Sequence, residues 1–124
     1  NIVCVSKCQN DIYVWYDKLQ IEEVFTNFYT NAINHSTGKI KISLKKADGK
    51  AKLEVYNSGN KIPENDLTRI WEKFYKVDKA RTREYGGNGL GLSIVKAILD
   101  NYDVEYGVYN VDDGVVFWCM FDCD

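Results

Sequence analysis

The chain has 124 residues, of which 45% are hydrophobic and 14% aromatic, and its formal net charge at pH 7 is −2. This length fits one domain with a single packed core over residues 1–124, and the slightly acidic balance argues against nucleic-acid binding, which usually requires a basic face. No run approaches the roughly 20 apolar residues that cross a bilayer, so we expect this domain itself to make no membrane contact.

Two strands and a long helix are predicted near the start of the chain. Residues 2–5 and 12–15 are rich in β-branched and aromatic side chains and flank a polar turn, a pattern typical of strands. Asp17 suits a helix N-cap, and apolar residues recur after it at helical spacing as far as about Gly38. This helix is expected to bury one apolar stripe.

Two hairpins and two further helices are predicted for the rest of the chain. Alternating apolar residues flank polar turns at 48–49 and 112–114, and both patterns predict β-hairpins. Pro63 opens a short helix that ends around Phe74, and a second long helix covers 90–99. Because helices and strands do not alternate one for one, the fold class is α+β, with helices packed on one face of a mixed, mainly antiparallel sheet.

The four cysteines form two pairs, Cys4 with Cys8 and Cys119 with Cys123. If each pair lies on a strand, a spacing of four places both sulfurs on one face but roughly 13 Å apart, too far for a disulfide or a shared metal. The spacing also differs from the short turn typical of zinc sites. We therefore expect buried free thiols in a reducing cytosol.

A glycine cluster at 86–91 leads directly into the second long helix. Glycines let backbone N–H groups approach an oxyanion, and the helix adds its positive dipole end, so the junction suits a polyphosphate. The cluster lacks the Gly-Lys-Ser/Thr ending of a Walker loop and follows a basic stretch rather than a buried strand, which disfavours P-loop and Rossmann sites. The stretch 76–85 is interpreted as a lid over a nucleotide, with a plain solvated loop as the alternative.

Three asparagines, Asn27, Asn31 and Asn34, follow one flank of the first long helix. Their i, i+4, i+7 spacing places them beside the apolar stripe. Taken alone, they fit an exposed polar flank. Alternatively, an amide oxygen of this flank could ligate Mg²⁺, which bridges proteins to phosphates.

A polar turn follows the strand that ends near Asn57. An asparagine at a strand end can accept a hydrogen bond from an adenine amino group, Gly59 allows close approach, and Ile62 offers an apolar wall. By itself the segment is an ordinary turn. Its place between the asparagine flank and the glycine cluster favours a nucleotide site.

Four motifs in order resemble those of one protein family. They are similar to the N, G1, F and G2 boxes of sensor histidine kinases, at residues 27–33, 57–63, 71–78 and 87–95. Within that family, residues 74–96 and 114–121 resemble sensors of the vancomycin-resistance type. The resemblance implies the ATP-binding catalytic domain with the Bergerat, or GHKL, fold, a two-layer α/β sandwich.

The resemblance also assigns roles to individual residues. Asn31 would ligate Mg²⁺ beside Asn27, and His35 would lie near the nucleotide. Tyr75 would lie against the adenine or ribose, and Lys76 would reach toward the phosphates. The backbone cradle for the phosphates would be formed by Gly87, Gly89, Leu90, Gly91 and Leu92.

Three positions depart from the family pattern. Asn57 stands where an aspartate usually accepts from the adenine amino group, Lys61 replaces a glycine, and Asn34 stands where a lysine often contacts phosphate. Because Asn57 is an acceptor without charge, we expect weaker or differently hydrated base recognition.

The residue at position 27 bears on the reaction. Gyrase-like ATPases of this fold carry a glutamate general base four residues before the metal-binding asparagine, where this chain has Asn27, and an amide cannot take a proton. The resemblance therefore implies transfer of the γ-phosphoryl group of Mg-ATP to a histidine, whose neutral nitrogen is already nucleophilic near pH 7.

The resemblance also implies partners. The acceptor histidine would lie on separate dimerisation helices of the same kinase, and a cognate response regulator would receive the signal. We expect a fragment of a longer, membrane-anchored kinase, with this domain in the cytoplasm. A nucleotide-binding regulatory module without phosphoryl transfer and a pure protein-interaction domain are the alternatives.

Overall fold

The structure is a computed structural model that describes residues 2–8, 12–75 and 90–123. Its strands are β1 (Val3–Cys8), β2 (Lys39–Ala47), β3 (Lys50–Ser58), β4 (Glu105–Val111) and β5 (Gly114–Asp122). Its α-helices, within those ranges, are α1 (Lys18–His35) and α2 (Gly91–Asn101). A 3₁₀ turn at Glu64–Asp66 follows β3.

The described strands form one mixed sheet in the order β1-β2-β3-β5-β4. β1 runs parallel to β2, whereas every other neighbouring pair is antiparallel. Helices α1 and α2 pack together on one face of this sheet, so the predicted α+β class is confirmed. No helix in the described part of the chain is long and apolar enough to cross a membrane.

The core lies between the two helices and the inner face of the sheet. Val24, Phe28 and Ala32 follow one another at i, i+4 and i+8 along α1 and are at most 1% exposed. The ring of Phe28 packs on Phe117 of β5 with a centroid distance of 5.6 Å. Leu99 adds the buried side of α2 to the same cluster. The apolar stripe predicted for the first helix is therefore the one that anchors it.

The opposite face of the sheet presents aromatic and cationic side chains. The Lys52 ammonium lies 5.3 Å from the Trp118 ring centroid, and Lys41 lies at the same distance from Tyr56. A Cβ at Gly107 would lie 2.9 Å from the indole nitrogen of Trp118, so only glycine leaves room for this indole. This face is thus a packed surface without a covering helix among the described residues.

Several local signals are confirmed. The Asp17 Oδ1 atom accepts a hydrogen bond from the Gln20 N–H at 3.0 Å and caps α1, which ends at His35, three residues before the predicted Gly38. At the β2–β3 turn, Asp48 and Gly49 have φ angles of 53° and 75°, as two-residue hairpin turns require. The last hairpin and the second long helix also form as predicted.

The strand predicted for residues 12–15 is wrong. That segment has no ladder, and β1 pairs with β2 instead. Its aromatic side chains Tyr13 and Trp15 are exposed, and the packing is made by Val14 and by the adjoining Tyr16, whose ring lies 4.9 Å from Tyr102 and 5.3 Å from Phe121. The Tyr16 hydroxyl accepts from the Asp122 N–H at 2.9 Å. These residues therefore line the approach to α1 rather than extend the sheet.

The short helix predicted from Pro63 to Phe74 is mostly wrong, because only Glu64–Asp66 forms a 3₁₀ turn. The following backbone bonds mainly span three residues, which gives a chain of turns rather than an α-helix. Phe74 has a φ of 63°, which ends any helical run. The segment still buries Trp71, whose ring meets Phe117 edge-on at 5.8 Å.

All four cysteines are free, as predicted, but their burial differs from the prediction. Cys119 is buried, whereas Cys4 and Cys8 are exposed, because β1 is an edge strand whose six residues are all exposed. Among the described residues, no group of three or more His, Cys, Asp or Glu side chains could hold a metal ion.

Thiol labelling should distinguish these cysteines. Burial raises the pKa of the Cys119 thiol to about 12, so almost no thiolate forms there near neutral pH. We expect a disulfide reagent at a pH of about 8 to modify Cys4 and Cys8 in the native domain, and Cys119 only after denaturation. Mass spectrometry of the labelled peptides measures this order. Native labelling of Cys119 as fast as Cys4 would contradict the assignment.

Candidate functional site

The asparagine flank of α1 lies at the edge of the core. Asn27, Asn31 and Asn34 are all half-buried. The amide nitrogen of Asn27 donates to the Glu23 backbone carbonyl at 2.9 Å and to the Glu23 Oε1 atom at 3.4 Å. The side chains of Asn31 and Asn34 form no hydrogen bond with any residue that the structure describes. Their amide oxygens can thus serve a ligand.

The start of α2 meets this flank. A Cβ placed on Gly91 would lie 2.7 Å from the Asn27 Oδ1 atom, so the backbone of the first turn touches the asparagine. Leu90 is the N-cap residue of α2. Leu92 packs against the core and fixes the helix start in place. The positive end of the helix dipole therefore lies beside amide oxygens, a setting that suits an anion with a bound cation.

A second part of the site lies at the end of β3. Asn57 is 2% exposed, and it is the one buried polar or charged residue in the described ranges. Gly59 has a φ of 142°, and a Cβ there would lie 2.7 Å from the His35 carbonyl oxygen. Only glycine permits this approach, which brings the end of α1 to the end of β3.

The amide of Asn57 is only partly satisfied. Its nitrogen donates to the Ser58 carbonyl at 3.2 Å, and its Oδ1 atom has no hydrogen-bond partner among the described residues. A buried acceptor of this kind calls for an explanation, and a bound ligand is one.

Two residues that position the site, Ser58 and Asn110, were not predicted from the sequence. The Ser58 hydroxyl accepts from the Lys39 N–H at 3.0 Å and from the Thr37 hydroxyl at 3.1 Å, which ties the α1–β2 loop to β3. The amide of Asn110, on β4, accepts from the Ile62 N–H at 2.9 Å and donates to the Ile62 carbonyl at 2.8 Å. No sequence signal indicates this pairing, because the two residues lie 48 positions apart.

Tyr75 lies apart from the asparagine flank in the contacts that the structure describes. Its ring stacks under the Arg69 guanidinium at 4.5 Å, and its hydroxyl donates to Asp66. The remaining predicted phosphate-side residues Lys76, Gly87 and Gly89 lie outside the described residues. The structure thus joins Asn27 to the α2 start, and His35 to the Gly59 turn.

The residues present fit a magnesium nucleotide. Amide oxygens are hard ligands of the kind that Mg²⁺ binds in proteins. A helix N-terminus suits the phosphates, and the buried Asn57 amide suits a purine edge.

Comparison with known proteins identifies the family. Residues 16–124 match the family model described as "Histidine kinase-, DNA gyrase B-, and HSP90-like ATPase". The chain belongs to the histidine kinase ATPase family. The domain is 35% identical over 104 residues to the sensor protein VanSB of Enterococcus faecalis (strain ATCC 700802 / V583). The matched region covers 82% of this chain and 23% of VanSB. The ATPase domain therefore spans less than a quarter of that relative.

Solved structures agree with this family. The catalytic domain of histidine kinase ThkA superposes on the ATPase domain with a TM-score of 0.85 and 31% identity, over 98% of this chain and 78% of that one. ThkA in complex with the response regulator TrrA matches with a TM-score of 0.81 and 28% identity, over 99% of this chain and 34% of that one. The predicted kinase-type α/β sandwich is confirmed, and VanSB agrees with the finer resemblance.

Proposed function

We propose that this histidine kinase ATPase domain binds Mg-ATP and donates its γ-phosphoryl group to a histidine on a separate dimerisation domain. The observation that supports the proposal best is the contact between the Gly91 backbone and Asn27, because it places a helix N-terminus beside a flank of amide oxygens. A helix N-terminus suits phosphate oxygens, and amide oxygens suit their cation.

In this proposal, α1 provides the ligand for the cation and α2 binds the phosphates. Asn31 ligates Mg²⁺ with Asn27 beside it, while the α2 start binds phosphate oxygens through its N–H groups. Bound Mg²⁺ would neutralise charge that develops on the transferred group, and positioning supplies most of the remaining catalysis. We propose that the Lys76 side chain reaches toward the phosphates. The backbone cradle around the phosphates is proposed to consist of Gly87, Gly89, Leu90, Gly91 and Leu92.

The base would lie at the other end of the site. Asn57 accepts from the purine edge, Gly59 allows its close approach, and Ile62 forms the apolar wall. Asn34, His35 and Tyr75 are proposed as further neighbours of the nucleotide.

Phosphoryl transfer to histidine fits the site better than hydrolysis. Asn27 occupies the general-base position of gyrase-like ATPases, and its amide cannot accept a proton. An imidazole acceptor needs no such base near neutral pH. His35 is the only histidine of the sequence and lies at the end of α1, so we expect the domain alone not to phosphorylate itself.

The proposed partners are the dimerisation helices of the same kinase and a cognate response regulator. The ThkA complex with TrrA supports the second, because a similar domain occurs there in a kinase bound to a regulator. We also propose that the domain is the cytoplasmic part of a membrane-anchored kinase. A regulatory module that binds nucleotide without phosphoryl transfer is the second candidate, favoured by the uncharged Asn57.

Nucleotide titration with and without Mg²⁺ tests the proposal. We expect saturable binding of a fluorescent ATP analogue that Mg²⁺ strengthens and that chelation weakens, because the cation bridges the asparagine flank and the phosphates. Phosphate transfer from labelled ATP to the dimerisation helices of the complete kinase then measures activity. A folded domain that binds no nucleotide at millimolar concentration would refute the proposal. Binding without transfer would favour the regulatory module.

A further inference from the structure

A single hydrogen bond within the described residues holds the orientation of the Asn57 amide. Its cross-strand neighbours are Ile40 on β2 and Val115 on β5, both apolar and at most 3% exposed. Neither side chain offers a hydrogen bond to the amide. Within the described residues, the amide has a single partner, the Ser58 carbonyl.

That hydrogen bond is weak. Its length of 3.2 Å is at the upper end of the normal range for N–H···O bonds. A Cβ at Gly59 would still lie 3.7 Å from the Asn57 nitrogen, so the turn leaves ordinary van der Waals space beside the amide. Turning the amide by half a rotation therefore costs one neutral hydrogen bond and turns the Oδ1 atom toward the Ser58 carbonyl, while the Gly59 side leaves room for the movement.

A rotatable amide can pair with two kinds of purine. A primary amide carries an acceptor oxygen and a donor nitrogen, whereas a carboxylate is an acceptor only. Adenine presents an amino donor at its 6 position, and hypoxanthine and guanine present an oxo acceptor there. The Asn57 Oδ1 atom can accept a hydrogen bond from the amino group of adenine. After rotation of the amide, its Nδ2 atom can donate to the oxo group of hypoxanthine or guanine.

We propose that Asn57 gives this site a relaxed purine specificity, so that 6-oxo purine nucleotides bind within about tenfold of ATP. The inference rests on the proposed nucleotide site. The limit follows from the cost of the rotation, because a neutral hydrogen bond contributes up to about a factor of ten in affinity.

Competition between ATP and inosine triphosphate tests the inference. The two nucleotides differ in the purine at the 6 position and the adjacent ring nitrogen. Each displaces a trinitrophenyl ATP probe from the domain in the presence of Mg²⁺, and the ratio of their dissociation constants is measured. We expect a ratio below about ten for the unmodified domain. For Asn57→Asp we expect a ratio at least tenfold larger, because the carboxylate cannot donate to an oxo group.

Asn57→Ala provides a second variant if the buried carboxylate prevents folding. Alanine removes both donor and acceptor, so we expect weaker binding of both nucleotides and a ratio near one. Circular dichroism confirms that each variant is folded.

The outcomes separate the inference from the proposed function. Three results overturn the relaxed specificity and leave the ATP site intact: ATP binding with a ratio above ten in the unmodified domain, an Asp variant that leaves the ratio unchanged, or an Ala variant that binds both nucleotides as tightly as the unmodified domain. Failure of both nucleotides to displace the probe from the folded domain overturns the proposed function, and the inference with it.

Discussion

Replacing Phe28 by alanine is expected to lower the free energy of unfolding by about 3–5 kcal/mol. The side chain is fully buried, and its ring meets Phe117 across the interface between α1 and the sheet. Truncation removes apolar contacts from both α1 and β5 and leaves a cavity. The helix cannot move in to close it, because Val24 and Ala32 on either side of position 28 are also packed in the core. Because small domains are stable by only about 5–15 kcal/mol, this loss removes a large share of the total.

Phe25→Ala is the matched control, since it removes the same side chain one turn earlier on the same helix. Phe25 is 37% exposed and stacks on Tyr29 at 5.9 Å, so we expect a loss of about 1 kcal/mol. Urea unfolding followed by circular dichroism measures both variants. Equal losses would show that α1 is not anchored through the Phe28 side.

Asn31→Ala is expected to weaken Mg²⁺-dependent nucleotide binding by on the order of 10- to 100-fold. Changes that only support a metal ligand already cost this much, and removal of the proposed ligand should cost no less. The effect on folding should be small, because Asn31 is half-buried and its side chain bonds to no described residue.

Two controls accompany this variant. Thr30→Ala changes an exposed neighbour on α1 and should leave binding unchanged. Titration in a chelator should remove the difference between Asn31→Ala and the unmodified domain, because the lost interaction passes through the cation. A variant that binds Mg-nucleotide as well as the parent would exclude Asn31 as the ligand.

Signals carried by neighbouring residues predicted the fold well. The stripe through Val24, Phe28 and Ala32 needs only helical periodicity, and the turn at 48–49 needs only residues that tolerate positive φ. The strand predicted for residues 12–15 was wrong because β-branched and aromatic side chains favour strands but also occur in irregular segments. Whether such a segment becomes a strand depends on which strand it can pair with. The strand that pairs with β2 is β1, more than 30 residues away along the chain.

In the candidate site, too, local features were predictable from the sequence and long-range contacts were not. Helical spacing predicted that Asn27 and Asn31 share a flank, and the resemblance supplied their roles. The contact between Gly91 and Asn27 joins residues 64 positions apart, and no local pattern specifies it. Ser58 stood inside a recognised motif, yet its role in holding the loop after α1 depends on where Thr37 lies.

The reciprocal pairing of Asn110 with Ile62 has a mechanical consequence. The two bonds imitate one rung of a β-ladder, with a side chain in place of a strand backbone. The backbone at Ile62 is therefore attached to β4, and β4 is in turn paired with β5. Contact between a ligand and Ile62 is thus resisted by the sheet and not only by the loop. The proposed apolar wall at Ile62 is thus held in place by the edge strand β4. A substitution at Asn110 should therefore weaken ligand binding even if Asn110 does not contact the ligand.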